Sequence, residues 1–336
     1  MNFWQTLDKP IFALAPMEDV TDTVFREVIL SVSNPSALNV VFTEFTSTDG
    51  MCHVHGRLKV MERLQVTLSE QVLLKKNNTK LVAQIWGSDP EKFAISAKMI
   101  SEMGVFDGID INMGCPVKKV IKNKSCSALI NHPQLAKDII RATIEASELP
   151  VSVKTRLGFK SVITEEWIGN LLEAGPEAII IHGRTQKMMS YGEVLWEEIA
   201  KAVQVRNVSG KPVKIIGNGE VKSYSDGLLK VEQYGLDGIM VGTGVFHNPW
   251  IFNFSEEQVG LDERIDLMLK HIQLFESNWG KQKNFNILKR FFKIYLNGFR
   301  GAVEWRDRFM HAQEYADAVQ LVTELKQEIA TMEMVQ

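Results

Sequence analysis

Cysteine is scarce: the 336-residue chain has three, Cys52, Cys115 and Cys126. A set this small and odd argues against structural disulfides and for a reducing, cytoplasmic setting. No pair has zinc-like spacing. Cys52 with His53 and His55 falls short of a closed site, so CHVHG reads as a polar loop and no metal is expected. Long apolar runs are missing too; none nears the roughly 20 residues of a membrane span. The N-terminus, MNFWQTLDKPIF, lacks the charged start and apolar core of a secretory signal. A strong charge of one sign is absent, since the formal net charge is −3. The first strand-like run ends in APMEDV rather than G-x-G-x-x-G, which argues against an open dinucleotide-binding sheet.

What is present is a globular composition, 45% hydrophobic and 24% charged. Eight short apolar runs start at Ile11, Val40, Lys80, Gly108, Val151, Ala178, Val213 and Gly238. Strands this apolar are buried on both faces, as in a parallel sheet. Helix-like segments over 90–103, 133–146, 165–174, 197–205 and 223–234 separate most of them; the gap between the second and third runs has no clear period. Eight such alternations predict an α/β fold, a (β/α)8 TIM barrel over residues 1–255. From about Gly260 apolar residues take helical spacing, which predicts a C-terminal all-helical domain over 256–336. Between Lys281 and His311, eight Lys/Arg face two acids, Glu304 and Asp307, a local +6 that leaves −9 for the rest. Taken as one helix, ILKRFFKIYLNGFR aligns Ile287, Phe291 and Tyr295 on an apolar stripe. Lys289, Lys293 and Arg300 fall on another face, either a polyanion-binding side or a solvated surface.

Barrel chemistry sits at the carboxyl ends of the strands. Found there are Pro16, Met17 and Glu18; Glu44; Gln84; Asn112 and Cys115; Lys154 and Arg156; His182 and Arg184; Asn218, Gly219 and Glu220; and Gly242, Thr243 and Gly244. Polar groups at the tips of such apolar strands are costly unless satisfied, so together they point to a polar ligand across the mouth. The small residues of GNGE and GTG suit a phosphate.

APMEDVTD, TEF, INMGCPVKKV, VKTRLGF, IHGRTQ, IGNGEV and FHNPWIF resemble the motifs of the tRNA-dihydrouridine synthases, through the barrel and more loosely into the tail. NMGCP followed by KKV is the most specific part. The resemblance implies an FMN-containing barrel, a helical RNA-binding domain, NADPH as electron donor and tRNA as partner; no membrane partner and a monomer are expected. It implies hydride delivery to C6 of a uracil and a proton to C5 from Cys115, whose unperturbed thiol, pKa roughly 8.5, is mostly protonated at neutral pH. FMN would be held by Pro16, Met17, Gln84, Lys154, His182, Asn218, Gly219, Glu220, Gly242 and Thr243, with Glu18 by adjacency. Asn112, Lys118, Lys119, Arg156, Arg184, Lys289 and Lys293 would face substrate or RNA. Two departures stand out. Gly242-Thr243 replaces the family's usual Gly-Arg, and Lys124 to Ala128 replaces a Gly- and Ala-rich run. Cys126 there reads as a packing residue rather than a second acid. An FMN dehydrogenase of a small pyrimidine, such as dihydroorotate, is the nearest rival but has little use for a basic tail. A non-catalytic RNA-binding relative is the other, and would not need Cys115.

Overall fold

The structure is a computed structural model that describes residues 2–254 and 258–333. Eight parallel strands follow one another in chain order: β1 Ile11–Leu14, β2 Val40–Phe42 (resumed at Thr46–Ser47), β3 Lys80–Trp86, β4 Gly108–Asn112, β5 Val151–Arg156, β6 Ala178–His182, β7 Lys214–Asn218 and β8 Gly238–Val241. β1 pairs with β8 and β2 with β3, so the sheet closes into the expected barrel. Alternate side chains point in and out. Ile11, Ala13, Val40, Phe42, Val82, Ile180, Ile216 and Met240 form the inner cluster with Phe3 and Trp4. Phe12, Leu14, Leu81, Ala83, Ile85, Ile109, Ile111, Val153, Ile179 and Ile181 belong to the outer core under the helices. The same phase turns Gln84, Asp110, Asn112, Ser152, Lys154, Arg156, His182 and Asn218 inward.

Local signals set the helices. Pro90–Met103 starts with proline, its Asp89 cap accepts the Glu91 N–H at 3.0 Å, and Gly104 closes it at φ +66°. Pro133–Ala146 has the expected bounds; Thr164–Ala174, Trp196–Ser209 and Tyr224–Tyr234 come within a few residues of theirs. The unreadable stretch between β2 and β3 holds short helices at Thr48–Cys52, Arg57–Met61 and Leu68–Asn77, with a 3-10 turn at Glu62–Leu64. Too many short pieces change direction there for one period to show. Glu70 in this stretch pairs with Arg26 at 2.6 Å, both side chains fully buried.

The boundary expected at 255/256 lies outside the described residues. Beyond it are helices Leu261–Trp279, Ala302–His311 and Tyr315–Glu333. The single basic-faced helix expected over 287–300 is corrected: a 3-10 helix, Phe285–Phe291, passes into a four-residue α-helix, Phe292–Tyr295. Arg300 lies beyond both. The buried Phe285, Leu288 and Phe291 are three residues apart, a spacing that aligns on one face only at three residues per turn. The helical region shares one core with the barrel. Phe291 stacks on Phe25 at 5.3 Å between ring centres, and Trp279 Nε1 donates to Asp22 Oδ2 at 2.8 Å. No described helix is long and apolar enough to cross a membrane.

Candidate active site

The β4 strand ends in a turn held by Asn112. Its Oδ1 accepts the N–H groups of Gly114 and Cys115, both at 3.0 Å. Its Nδ2 donates to Gln84 Oε1 at 3.0 Å, Gln84 Nε2 donates to Asp110 Oδ2 at 2.7 Å, and Ser152 Oγ donates to Asp110 Oδ1 at 2.6 Å. Strand register produces this chain, since Gln84 lies opposite Asp110 and Asp110 opposite Ser152. Burial pushes the Asp110 carboxyl up to about 6, against the Ser152 and Gln84 hydrogen bonds and the Lys154 charge. Gln84, expected to meet cofactor, is fully buried, and its amide is hydrogen-bonded to Asp110 and Asn112. Asn112, expected at the substrate, likewise holds the cysteine turn from below.

Cys115 is partly exposed and lines a cavity of about 380 Å³ with Glu18, Phe45, Val60, Arg63 and Trp86. Its thiol is lowered to about 7. The largest cause is a hydrogen bond with the Cys126 thiol; burial opposes it, the Val117 N–H and the Arg156 charge help, and Glu18 opposes. Cys126 is fully buried, and burial pushes its own thiol well up. Lys118, Lys119, Lys122 and Lys124 are exposed on and after the short Lys118–Ile121 helix, so the positive charge acting on the thiol is Arg156 rather than the lysine run. Only Lys119 of the four reaches the cavity wall. Glu18, expected at the cofactor by adjacency, stands on this thiol side. Its Oε1 accepts from Arg63 Nε at 3.1 Å and Nη2 at 2.6 Å. Below it, buried Glu44 accepts the Asp19 N–H at 2.7 Å, and burial with nearby Asp22 pushes its carboxyl up to about 7. Arg63 comes from the stretch without a period and carried no sequence signal. Trp86, last in an apolar strand, could have been found as a strand-end residue.

The other half of the mouth is cationic. Lys154 Nζ donates to Asn218 Oδ1 at 3.2 Å rather than pairing with Asp110. Burial and then Arg156 lower Lys154 to about 8, with Asp110 opposing. Burial, followed by Lys154, Arg156 and Arg184, lowers His182 to about 2, so its imidazole is neutral at physiological pH. Two residues expected at substrate or RNA lie here. Arg156 is buried, donating to the carbonyls of Gly114 at 2.7 Å, Thr185 at 3.1 Å and Met189 at 2.6 Å. Arg184 is buried as well; its guanidinium donates to the Gly192 carbonyl at 3.0 Å and pairs with Glu220. Both pin loops, because a buried guanidinium must spend its donors on what surrounds it. Asn218 donates to the Met240 carbonyl at 2.8 Å, which ties β7 to β8. Gly219 follows at φ +142°, where a side chain is strained. Gly242 precedes the Thr243–Phe246 turn, and Thr243 is exposed. Pro16 and Met17 cap β1 half-buried, the Met17 N–H donating to Thr21 Oγ1 at 2.9 Å.

The basic tail residues divide. Lys283 pairs with Asp22 at 3.0 Å and lies over the Trp279 ring at 3.4 Å. Arg290 donates to the Asp19 carbonyl at 3.0 Å, and Lys289 to the Met310 carbonyl at 2.8 Å. Lys293 and Arg300 are exposed, with no side-chain partner among the described residues. No cluster of three or more His, Cys, Asp or Glu there is placed to hold a metal ion.

A closed parallel barrel with an acidic thiol on one side of its mouth and buried cations on the other defines an enzyme of the barrel class. The family model described as "Dihydrouridine synthase (Dus)" matches residues 13–331. "Probable tRNA-dihydrouridine synthase" of Staphylococcus aureus (strain MRSA252) is 41% identical over 327 residues, 97% of this chain and 96% of that one. "Probable tRNA-dihydrouridine synthase 2" of Bacillus subtilis (strain 168) is 41% identical over 314 residues, 93% of each. The old yellow enzyme from Trypanosoma cruzi superposes with a TM-score of 0.46 at 10% identity, over 71% of this chain and 85% of that one, too slight a likeness to carry an argument. The chain belongs to the dihydrouridine synthase family.

Proposed function

We propose that this chain reduces particular uridines of tRNA to 5,6-dihydrouridine in the cytoplasm, with FMN as cofactor and NADPH as electron donor. The observation that carries the reading is Cys115, an acidic thiol on the wall of a base-sized cavity at the barrel mouth of a dihydrouridine synthase. When bound, FMN supplies the hydride added to C6 of the uracil, having been reduced by NADPH. The residues present suit such a group: Lys154 is a half-buried cation whose hydrogen-bond partner is a neutral amide, a place ready for an anionic edge. Lys154 and His182 would hold the ring, and Asn218, Gly219, Gly242 and Thr243 the phosphate end.

Cys115 gives its Sγ proton to C5. The Cys126 thiol, the Val117 N–H and the Arg156 charge stabilise the thiolate left behind. Asn112 fixes the turn that aims the thiol. Phe45, Val60 and Trp86 give the cavity an apolar wall. A uracil reaches this depth only when swung out of the RNA. The exposed Lys118, Lys119, Lys122, Lys293 and Arg300 contact phosphates and position the RNA. In this reading residues 1–255 do the chemistry and 256–336 present the RNA.

The test is reconstitution: purified chain, FMN, NADPH and a tRNA transcript, with dihydrouridines mapped by mass spectrometry. We expect one or a few uridines converted. Turnover of free dihydroorotate without conversion of tRNA would overturn the reading in favour of a small-pyrimidine dehydrogenase.

A further inference from the structure

Cys126 sits in a conformation that does not suit it. Its φ is +53°, in the left-handed region that glycine accepts and other side chains resist. It is also fully buried, at the start of the Cys126–Asn131 3-10 turn. Strain of this kind at a buried position calls for a reason. The neighbouring geometry supplies one. The Cys115 carbonyl accepts both the hydroxyl of Ser127, at 2.7 Å, and its N–H, at 3.4 Å. These bonds clamp the two backbone segments together and set Cys126 beside Cys115, whose thiol it lowers. One sulfur of the pair opens on the cavity and the other has no access to solvent. Cys52 stands apart, its thiol on the Lys92 carbonyl at 3.9 Å. A glycine at 126 would relieve the strain, but only a cysteine places a second sulfur there.

We propose that Cys115 and Cys126 form a peroxide-sensitive thiol pair that closes into a reversible disulfide. The Cys115 thiolate attacks one oxygen of hydrogen peroxide. An S–O bond forms, the O–O bond breaks, and the departing hydroxide takes a proton to leave as water. Cys115 is now a sulfenic acid, oxidised by the two electrons that reduced the peroxide. Cys126 then attacks the Cys115 sulfur as its proton passes to the sulfenic hydroxyl; the S–S bond forms, the S–O bond breaks and a second water leaves. The disulfide removes the proton donor and protects Cys115 from irreversible over-oxidation. A thiol reductant reverses it by exchange. Loss of activity in the oxidised form rests on the function proposed above; formation of the disulfide does not.

The FMN-loaded chain is treated with hydrogen peroxide, denatured and alkylated, then digested without reduction and mapped by mass spectrometry. The expected product is a Cys115–Cys126 cross-link with Cys52 alkylated. Uridine reduction should be lost and then mostly restored by dithiothreitol. In Cys126→Gly and Cys126→Ser, Cys115 should pass to the sulfinic acid, with almost no recovery. A wild-type map showing sulfinic Cys115 beside alkylated Cys126 overturns the proposal, as does recovery in both variants as full as in the wild type. If the chain proves unable to reduce uridine, the map still decides.

Discussion

The two halves of the barrel mouth are built differently. The β1–β4 half is a cavity walled by Phe45, Val60 and Trp86 around the Cys115 thiol, with its one ion pair, Glu18 and Arg63, internally neutralised. The β5–β7 half gathers Lys154, Arg156, Arg184 and a neutral His182, and Glu220 offsets only one of these cations. The first half is suited to a flat neutral base and a proton, the second to an anion. Like charges lower one another's basicity and burial adds to the effect, so an anionic ligand would be favoured there.

Four experiments separate the halves. Cys115→Ala should slow uridine reduction by roughly 10²- to 10⁴-fold, the usual weight of a general acid. FMN should stay bound and NADPH oxidation should continue, both followed by flavin absorbance; near-normal product formation would mean that another group supplies the proton. Lys154→Met should do the reverse. Losing a charged hydrogen bond weakens FMN by roughly ten- to a hundredfold, read by fluorescence titration, and unchanged affinity would remove the lysine from the cofactor site.

The thiol half should also show in the pH profile. The donor is the protonated thiol, and with Cys115 at about 7 it is lost as pH rises through that value. Single-turnover uridine reduction should fall roughly tenfold between about pH 6 and 8 by simple titration. A flat profile would exclude thiol donation as the rate-setting step. The smallest effect belongs to the tail: Lys293→Glu with Arg300→Glu should weaken tRNA binding and flatten its salt dependence, by about one unit of slope for each phosphate no longer neutralised. An unchanged slope takes both residues out of the footprint.

Much of this molecule could be read from the chain. The eight strands were legible because strands buried on both faces must be continuously apolar, and Cys115 was legible as the thiol ending one of them. That Arg156 and Arg184 hold loop carbonyls could not be read, because an arginine at a strand end has the same letter whether it faces solvent or a neighbouring carbonyl. The tail misled for a related reason. Ile287, Phe291 and Tyr295 at four-residue spacing suggest an α-helix, while Phe285, Leu288 and Phe291 at three-residue spacing are what the core took up.

The sequence by itself determined the barrel, the strand ends that carry polar groups and the thiol among them. These follow from local periodicity, since burial on two faces imposes its pattern residue by residue. Tertiary structure alone decided that Gln84 supports Asn112, that Arg63 meets Glu18 across 45 positions, and that Cys126 touches Cys115. Such contacts depend on where loops return once the barrel has closed, and no short-range pattern encodes the meeting of two segments that only closure brings together.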